Sequence, residues 1–295
     1  MIEKQNKIIP MMSDAVFKSV LQDKLSEGYL VDIISNITKI PKEKIKGNIK
    51  FRNSELSKNK VKEKGKVADL IIELQDKIIN LEMNKSYYDG LFEKNDRYVN
   101  KIVDGNTRIG ESYNGRRKVI QINFDNFEIF DERIVIKFRM MDDERGLIRS
   151  NYVYNTDVEI YHVNLKRIKE MYYNGTKLNT FERELLLMTL DNKEELKMVA
   201  KGNKNMEQVE KKISSLSEEE QMQGIYIKEE QDAWVKDMIM GYASRKGYDE
   251  GMEQGTLDGK KQVAINMIKN NMDDNLILKL TGLSKEDIKD LKNLG

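Results

Sequence analysis

The chain has no cysteine, only two prolines, one tryptophan and a single histidine among its 295 residues. Without thiols it forms neither disulfides nor thiolate metal sites, and a reducing compartment suits it. One histidine, His162, leaves no ordinary ligand set for zinc and no basis for a Ser-His-Asp catalyst. It lies in a Val/Ile-rich stretch and reads as a satisfied structural residue. No apolar run is long enough to span a bilayer and no secretory leader is visible, so a cytoplasmic protein away from membranes is expected. Neither sign of charge is in excess: 51 Lys and Arg against 50 Asp and Glu leave a net charge of +1. A strong overall field is therefore excluded. The chemistry has to be carried by carboxylates, amides and lysines.

Local charge is less balanced. Between residues 41 and 66 lie ten basic residues (Lys42, Lys44, Lys46, Lys50, Arg52, Lys58, Lys60, Lys62, Lys64 and Lys66) and three acids, Glu43, Glu55 and Glu63. Such a run is either a solvated loop or a phosphate-backbone contact, whose affinity is electrostatic. Lys58, Lys60, Lys62, Lys64 and Lys66 are the candidate DNA-binding residues. The run leads directly into two apolar segments, residues 67–74 and 77–84, separated by Gln75-Asp76. This spacing predicts a β-hairpin with Leu74 opposite Lys77. Counting back, Asp69 faces Glu82 and Val67 faces Asn84. Opposed residues share a face, with Cβ atoms roughly 4.5–5.5 Å apart. Ala68, Leu70, Ile72, Leu74, Ile79, Leu81 and Met83 then form a core face. The other face sets two carboxylates side by side among apolar neighbours. Like charges so placed repel, and neither ionises easily beside the other. A divalent cation between them resolves the conflict, and oxygen ligands favour Mg²⁺ or Mn²⁺. Solvent exposure or a salt bridge from a nearby lysine would also resolve it, and the two strands alone do not choose.

Around the hairpin, residues 13–37 read as two helices, with Val16, Phe17, Val20, Leu21, Leu30, Ile33 and Ile34 at helical spacing. Residues 49–51 suggest a first strand, 88–109 a long helix and 119–124 a strand. Residues 134–140 and 152–165 are also strand-like, separated by a polar turn whose Asp142, Asp143 and Glu144 read as solvated. This order suits a mixed sheet covered by helices. Beyond residue 179 the chain turns helical, with Trp234 in a long helix. Gly247, Gly251, Gly255 and Gly259 then recur every fourth residue. Each costs a helix about 1 kcal/mol relative to Ala, so the stripe implies a closely approaching partner helix or a flexible, weakly dimerising connector. Ser284 is a candidate N-cap with Asp287 three residues on. The last helices have a helix-turn-helix look, but the second carries few groups suited to base edges and reads as a small helical tail.

Taken in order, these stretches resemble a known family. An Asp followed about a dozen residues later by Glu-x-(Lys or Gln) on the next strand is the signature of PD-(D/E)XK nucleases. The Rpn-type recombination-promoting nuclease and transposase-like family is the most similar branch. Ser13-Asp14-Ala15-Val16-Phe17-Lys18 is similar to that family's opening helix. The stretch from Tyr87 to Arg97-Tyr98 resembles its Arg-Tyr helix, and the stretch from Leu280 to Ile288 its C-terminal tail. The resemblance implies an α/β fold: a PD-(D/E)XK nuclease-like core, a mixed sheet flanked by helices, with a helical C-terminal region. It implies domains at 1–178 (nuclease-like), 179–245 (helical) and 246–295 (glycine-striped connector and tail). It implies a Mg²⁺- or Mn²⁺-dependent DNA endonuclease linked to recombination or DNA mobility. Asp69, Glu82 and the Met83 carbonyl would hold the metal, with Glu55 a further family acid. Asn84 stands where the family has Lys or Gln. Either Asn84 or its neighbour Lys85 would then position the attacking water, or another lysine would substitute. Two other readings stay open: a nuclease fold that binds DNA without cutting, and an interaction protein acting through its C-terminal helices, by which it would form a homodimer.

Overall fold

The computed structural model of the chain describes residues 6–52, 55–56, 66–105, 117–129, 132–138 and 158–293. They fall into two compact units, residues 1–227 and 228–295. The first opens with helices α1 (Asp14–Leu21), α2 (Glu27–Thr38) and the short α3 (Lys42–Ile45), followed by strand β1 (Lys50–Arg52). The short strands β2 (Glu55–Leu56) and β3 (Lys66–Val67) pair only with each other. The predicted hairpin is β4 (Leu70–Glu73) and β5 (Lys77–Asn84), in the expected register: Leu70 faces Leu81 and Glu73 faces Ile78. It departs from expectation at one end. The strand breaks at Ala68-Asp69, so Val67 pairs with Glu55 instead of Asn84, and Ala68 joins Ile71 and Ile78 on the face read as its opposite.

Helix α4 (Leu91–Asp104) crosses from β5 to β6 (Lys118–Asp125), which lies parallel to β5. Strand β7 (Val135–Phe138) pairs antiparallel with β8 (Val158–Asn164), and β8 runs parallel to β6. The resulting six-stranded mixed sheet has the order β1-β4-β5-β6-β8-β7. Its central strands are covered on both faces, as parallel neighbours require. Every residue of β5 from Ile78 to Asn84 is buried. One face packs Leu70, Ile72, Ile79, Leu81, Ile120 and Ile122 into the main core. On the other, α4 lays Tyr98, Val99 and Ile102 over Ile71, Ile78 and Val119.

The main core is completed by helices α5 (Leu165–Tyr173), α6 (Thr180–Leu187), α7 (Lys193–Ala200) and α8 (Lys204–Glu218). Their starts are set locally. Asn164, Asn179, Asn192 and Asn203 each stand at an N-cap and accept a first-turn backbone N–H, a contribution of about 1 kcal/mol each. Asn179 and Glu182 form a complete capping box. Arg183 donates to the carbonyls of Val199 and Lys201 at the end of α7. The core holds Leu185 to Leu190 and Met206 together with Phe17 and Tyr29, so the late helices and the sheet share one interior.

Helix α9 (Glu220–Lys269) runs for 50 residues without a break at the glycines. A methyl group added at Gly247, Gly251, Gly255 or Gly259 would meet none of the described residues within 4 Å. The second unit ends in α10 (Asp274–Thr281) and α11 (Lys285–Asn293), which bury Ile277, Leu283 and Ile288 against Ala264. Gly282 turns the chain between them at φ 68°, a left-handed conformation that glycine adopts without strain. The expected cap forms: the Ser284 hydroxyl accepts from Asp287 N–H, and Asp287 accepts from Ser284. Among the described residues no helix is long and apolar enough to cross a membrane. The turn at residues 142–144 lies outside the described residues.

Glu184, on α6, is buried at 2% exposure. Burial, reinforced by the charge of Asp32, raises its carboxyl to about 7. Between the ordinary glutamate value and pH 7 the folded chain binds the extra proton, so stability falls as pH rises through that window. Glu184→Gln should remove the fall, worth on the order of 2–3 kcal/mol. Urea unfolding at pH 5 and pH 8 checks this, and equal pH dependence in both proteins would refute it.

Candidate active site

The strand break positions the first carboxylate. Asp69 ends the approach to β4, where its Oδ2 accepts the Met83 N–H at 2.7 Å. Its own N–H donates to Glu82 Oε1 at 3.3 Å. The two acids predicted to face each other are thus brought together at the end of the hairpin. Glu82 is fully buried, and its Oε2 has no hydrogen-bond partner among the described residues. Burial raises both carboxyls above their ordinary values. The Asp14 charge adds to the effect at Asp69, and Asp69 itself adds to that at Glu82.

A positive charge reaches the pair from a helix. Lys94, on the first turn of α4, holds its ammonium 3.8 Å from Glu82 Oε2 and 5.0 Å from the Tyr98 ring centroid. Burial acts against the Lys94 charge, but Glu82, followed by Tyr98, Tyr88 and Asp69, outweighs it, and the pKa lies above the usual lysine value. Sequence reasoning missed this residue. The available signal was its position four residues before Tyr98 and three after Leu91, on the buried side of an amphipathic helix.

The strand candidates are engaged elsewhere. Asn84 is buried and donates to Asp125 Oδ1 at 2.7 Å. Lys85 follows the end of β5 and lies 3.4 Å from Asp14 Oδ1, on the side its strand parity predicts. The backbone of Glu55 and Lys66 lies in the two-stranded sheet, with their side chains outside the described part of the structure. Lys58, Lys60, Lys62 and Lys64 are outside the described residues altogether.

Around Glu82 the sheet carries a polar patch. Register places Asn80 beside Gln121, Glu82 beside Asn123, and Asn84 beside Asp125, and Asn123 beside His162 on β8. All seven are buried. Asn80 Nδ2 donates to Glu82 Oε1 at 3.0 Å and to Gln121 Oε1 at 2.7 Å. Gln121 and Asn95 donate to Asn123 Oδ1 at 2.8 and 3.1 Å. His162 Nδ1 lies 2.7 Å from Asp125 Oδ2, so His162 is satisfied, as its setting suggested. The alternation of these polar residues with Ile and Phe was visible. That their face is buried was not.

Among the described residues no third acid or histidine completes a metal-ligand cluster with Asp69 and Glu82. The Glu82 oxygen without a hydrogen-bond partner, beside the half-buried Asp69 carboxylate, nevertheless fits a hard cation. Mg²⁺ is commonly held by one or two carboxylates, with waters and substrate phosphate supplying the rest.

Residues 11–244 match the model of the PD-(D/E)XK nuclease family transposases, and residues 258–293 match that of the Rpn/YhgA-like nuclease family C-terminal HTH domain. No curated protein and no solved structure matches the chain significantly. The α10–α11 pair, read from sequence as a small tail, therefore corresponds to a helix-turn-helix domain.

The buried Glu82 beside Asp69 makes a stability test possible without any assay of activity. Mn²⁺ should raise the melting temperature of the wild type at pH 8 by about 3 °C or more. Glu82→Gln should melt higher than wild type in EDTA and gain nothing from Mn²⁺. A variant that still responds to the metal would place the cation elsewhere.

Proposed function

Because the chain belongs to the PD-(D/E)XK nuclease family transposases, we propose that it is a divalent-metal-dependent DNA endonuclease acting in recombination or DNA mobility. The observation that carries this reading is the pair Asp69 and Glu82, joined at the hairpin end, with Glu82 fully buried and its Oε2 lacking a hydrogen-bond partner among the described residues. These two carboxylates and the Met83 carbonyl would hold Mg²⁺ or Mn²⁺. Such an ion, when bound, lowers the pKa of a water and offsets charge on the phosphate. Lys94 supplies the cation that the family places two residues after the glutamate. Its ammonium, near Glu82, orients the attacking water and stabilises charge as it develops. Asn84, tied to Asp125, supports the strand end instead. DNA is the substrate this reading implies, gripped through the basic 58–66 segment and the C-terminal helix-turn-helix. A nuclease fold that binds DNA without cutting is the second reading, favoured by the engagement of Asn84 with Asp125.

Nicking of supercoiled plasmid with Mg²⁺ or Mn²⁺ should be lost in Asp69→Ala and Glu82→Ala. It should fall about 100-fold in Lys94→Met and change little in Asn84→Ser. Inert, folded wild type that retains DNA affinity would decide for the second reading.

A homodimer through α9 belongs to the same proposal. Trp234, Met238 and Tyr242 recur along the helix at steps of four, each more than half exposed. A soluble chain seldom leaves such a stripe uncovered. The double variant Trp234→Asp/Met238→Asp should sediment as a monomer where the wild type sediments as a dimer. Identical sedimentation would exclude this face.

A further inference from the structure

The polar patch opens into a cavity of roughly 280 Å³ between α4, β6, β7 and β8, near the small end of the range for ligand pockets, about 300 Å³ upward. Phe92 and Phe138 form its walls, each edge-on to the His162 ring at a centroid distance of 5.4 Å. Asn95, Gln121 and Asn123 provide amides. Asp96 at the rim adds one carboxylate, and no lysine or arginine is among the described residues lining it. Such a lining suits neither a phosphate nor a free anion. It suits a neutral planar group with both donors and acceptors on its edge.

Two further observations point to a ligand. Asn95 is 4% exposed, lines the cavity and leaves its Oδ1 without a hydrogen-bond partner among the described residues. An unmet buried acceptor costs about 1–3 kcal/mol, a cost that a donor on a bound molecule would remove. The second is alignment. Glu82, Asn123 and His162 are consecutive partners on three hydrogen-bonded strands. At ~4.8 Å per strand the row covers ~10 Å, about the reach of one nucleotide from its phosphate to the edge of its base. The hydrogen-bond path from Glu82 through Asn80 and Gln121 to Asn123 follows the same line.

We propose that this cavity binds a nucleobase, held between Phe92 and Phe138 and read at its edge by Asn95, Gln121 and Asn123. Proteins that take a base out of the stack hold it by this combination of apolar walls and edge hydrogen bonds. The alignment with Glu82 rests on the nuclease reading; the cavity's chemistry does not.

The test uses the full chain in EDTA, so that cleavage plays no part. Adenosine, guanosine, cytidine and thymidine are each examined by saturation-transfer NMR. At least one should give base-proton transfer that falls at least fivefold in Asn95→Leu. It should fall similarly in Phe138→Ala, where the truncated ring is 41% exposed and the fold is retained. An oligonucleotide containing 2-aminopurine then separates the sources. Severalfold brightening on binding, lost in both variants, identifies a base carried on a strand. Transfer without brightening identifies a free nucleoside. No transfer from any nucleoside together with no brightening overturns the proposal, as does binding that persists in both variants. Plasmid nicking remains a separate measurement: nicking without base binding would leave the nuclease reading intact, and base binding without nicking the reverse.

Discussion

A carboxylate buried without a full set of partners, Glu82, is the constraint around which the first unit is organised. A central strand of a sheet covered on both faces has no solvated face, so the polar residues of β5 must be satisfied inside the protein. They are satisfied mostly by amides, which bring donors and acceptors without adding charge. Asn80 serves Glu82 and Gln121 at once, and Asn123 accepts from Gln121 and Asn95. A positive charge 3.8 Å from the Glu82 Oε2, that of Lys94, comes from the covering helix. Replacing this patch with apolar residues of similar volume would cost little stability and often gains some. Its presence is therefore better explained by chemistry than by folding.

The opposite face of the sheet supplies what the polar face lacks. Leu70, Ile72, Ile79, Leu81 and Ile122 pack into the main core with residues of eight helices, and the late helices are fixed at their starts by asparagine caps. A close-packed interior of this kind transmits little slack. The strands that carry Asp69 and Glu82 are thereby held to one register, which a site needing sub-ångström placement requires. Polar strain on one side and dry packing on the other are two parts of one arrangement.

The position after the glutamate illustrates how a function can move without a change of fold. Asn84 belongs to the end of the strand, where Asp125 holds it. On the reading proposed here, the cation sits instead on α4, which crosses the same sheet face. A lysine on a helix reaches the carboxylate from above, where a lysine on the strand would reach it from the side. What matters electrostatically is distance from the charge, and Lys94 lies 3.8 Å from Glu82. Its origin in the chain is secondary.

Sequence alone determined the hairpin and its register, and so brought Asp69 and Glu82 to the same end of it, because a two-residue loop and a period of two leave one pairing that buries the apolar face. It determined most of the order of helices and strands, whose periodicities are local, and the Ser284 cap, but it missed the short α3, the β2–β3 pair and α5. It set the Val67 end wrongly, since the break at Ala68-Asp69 depends on pairing with a distant strand. The tertiary structure decided what periodicity does not encode. It buried the polar face beneath α4, turned Lys94 toward Glu82, tied Asn84 to Asp125 and closed the cavity beside His162. Each of these depends on contacts between segments 10 to 80 residues apart, and a strand's alternation specifies two faces without specifying what covers them.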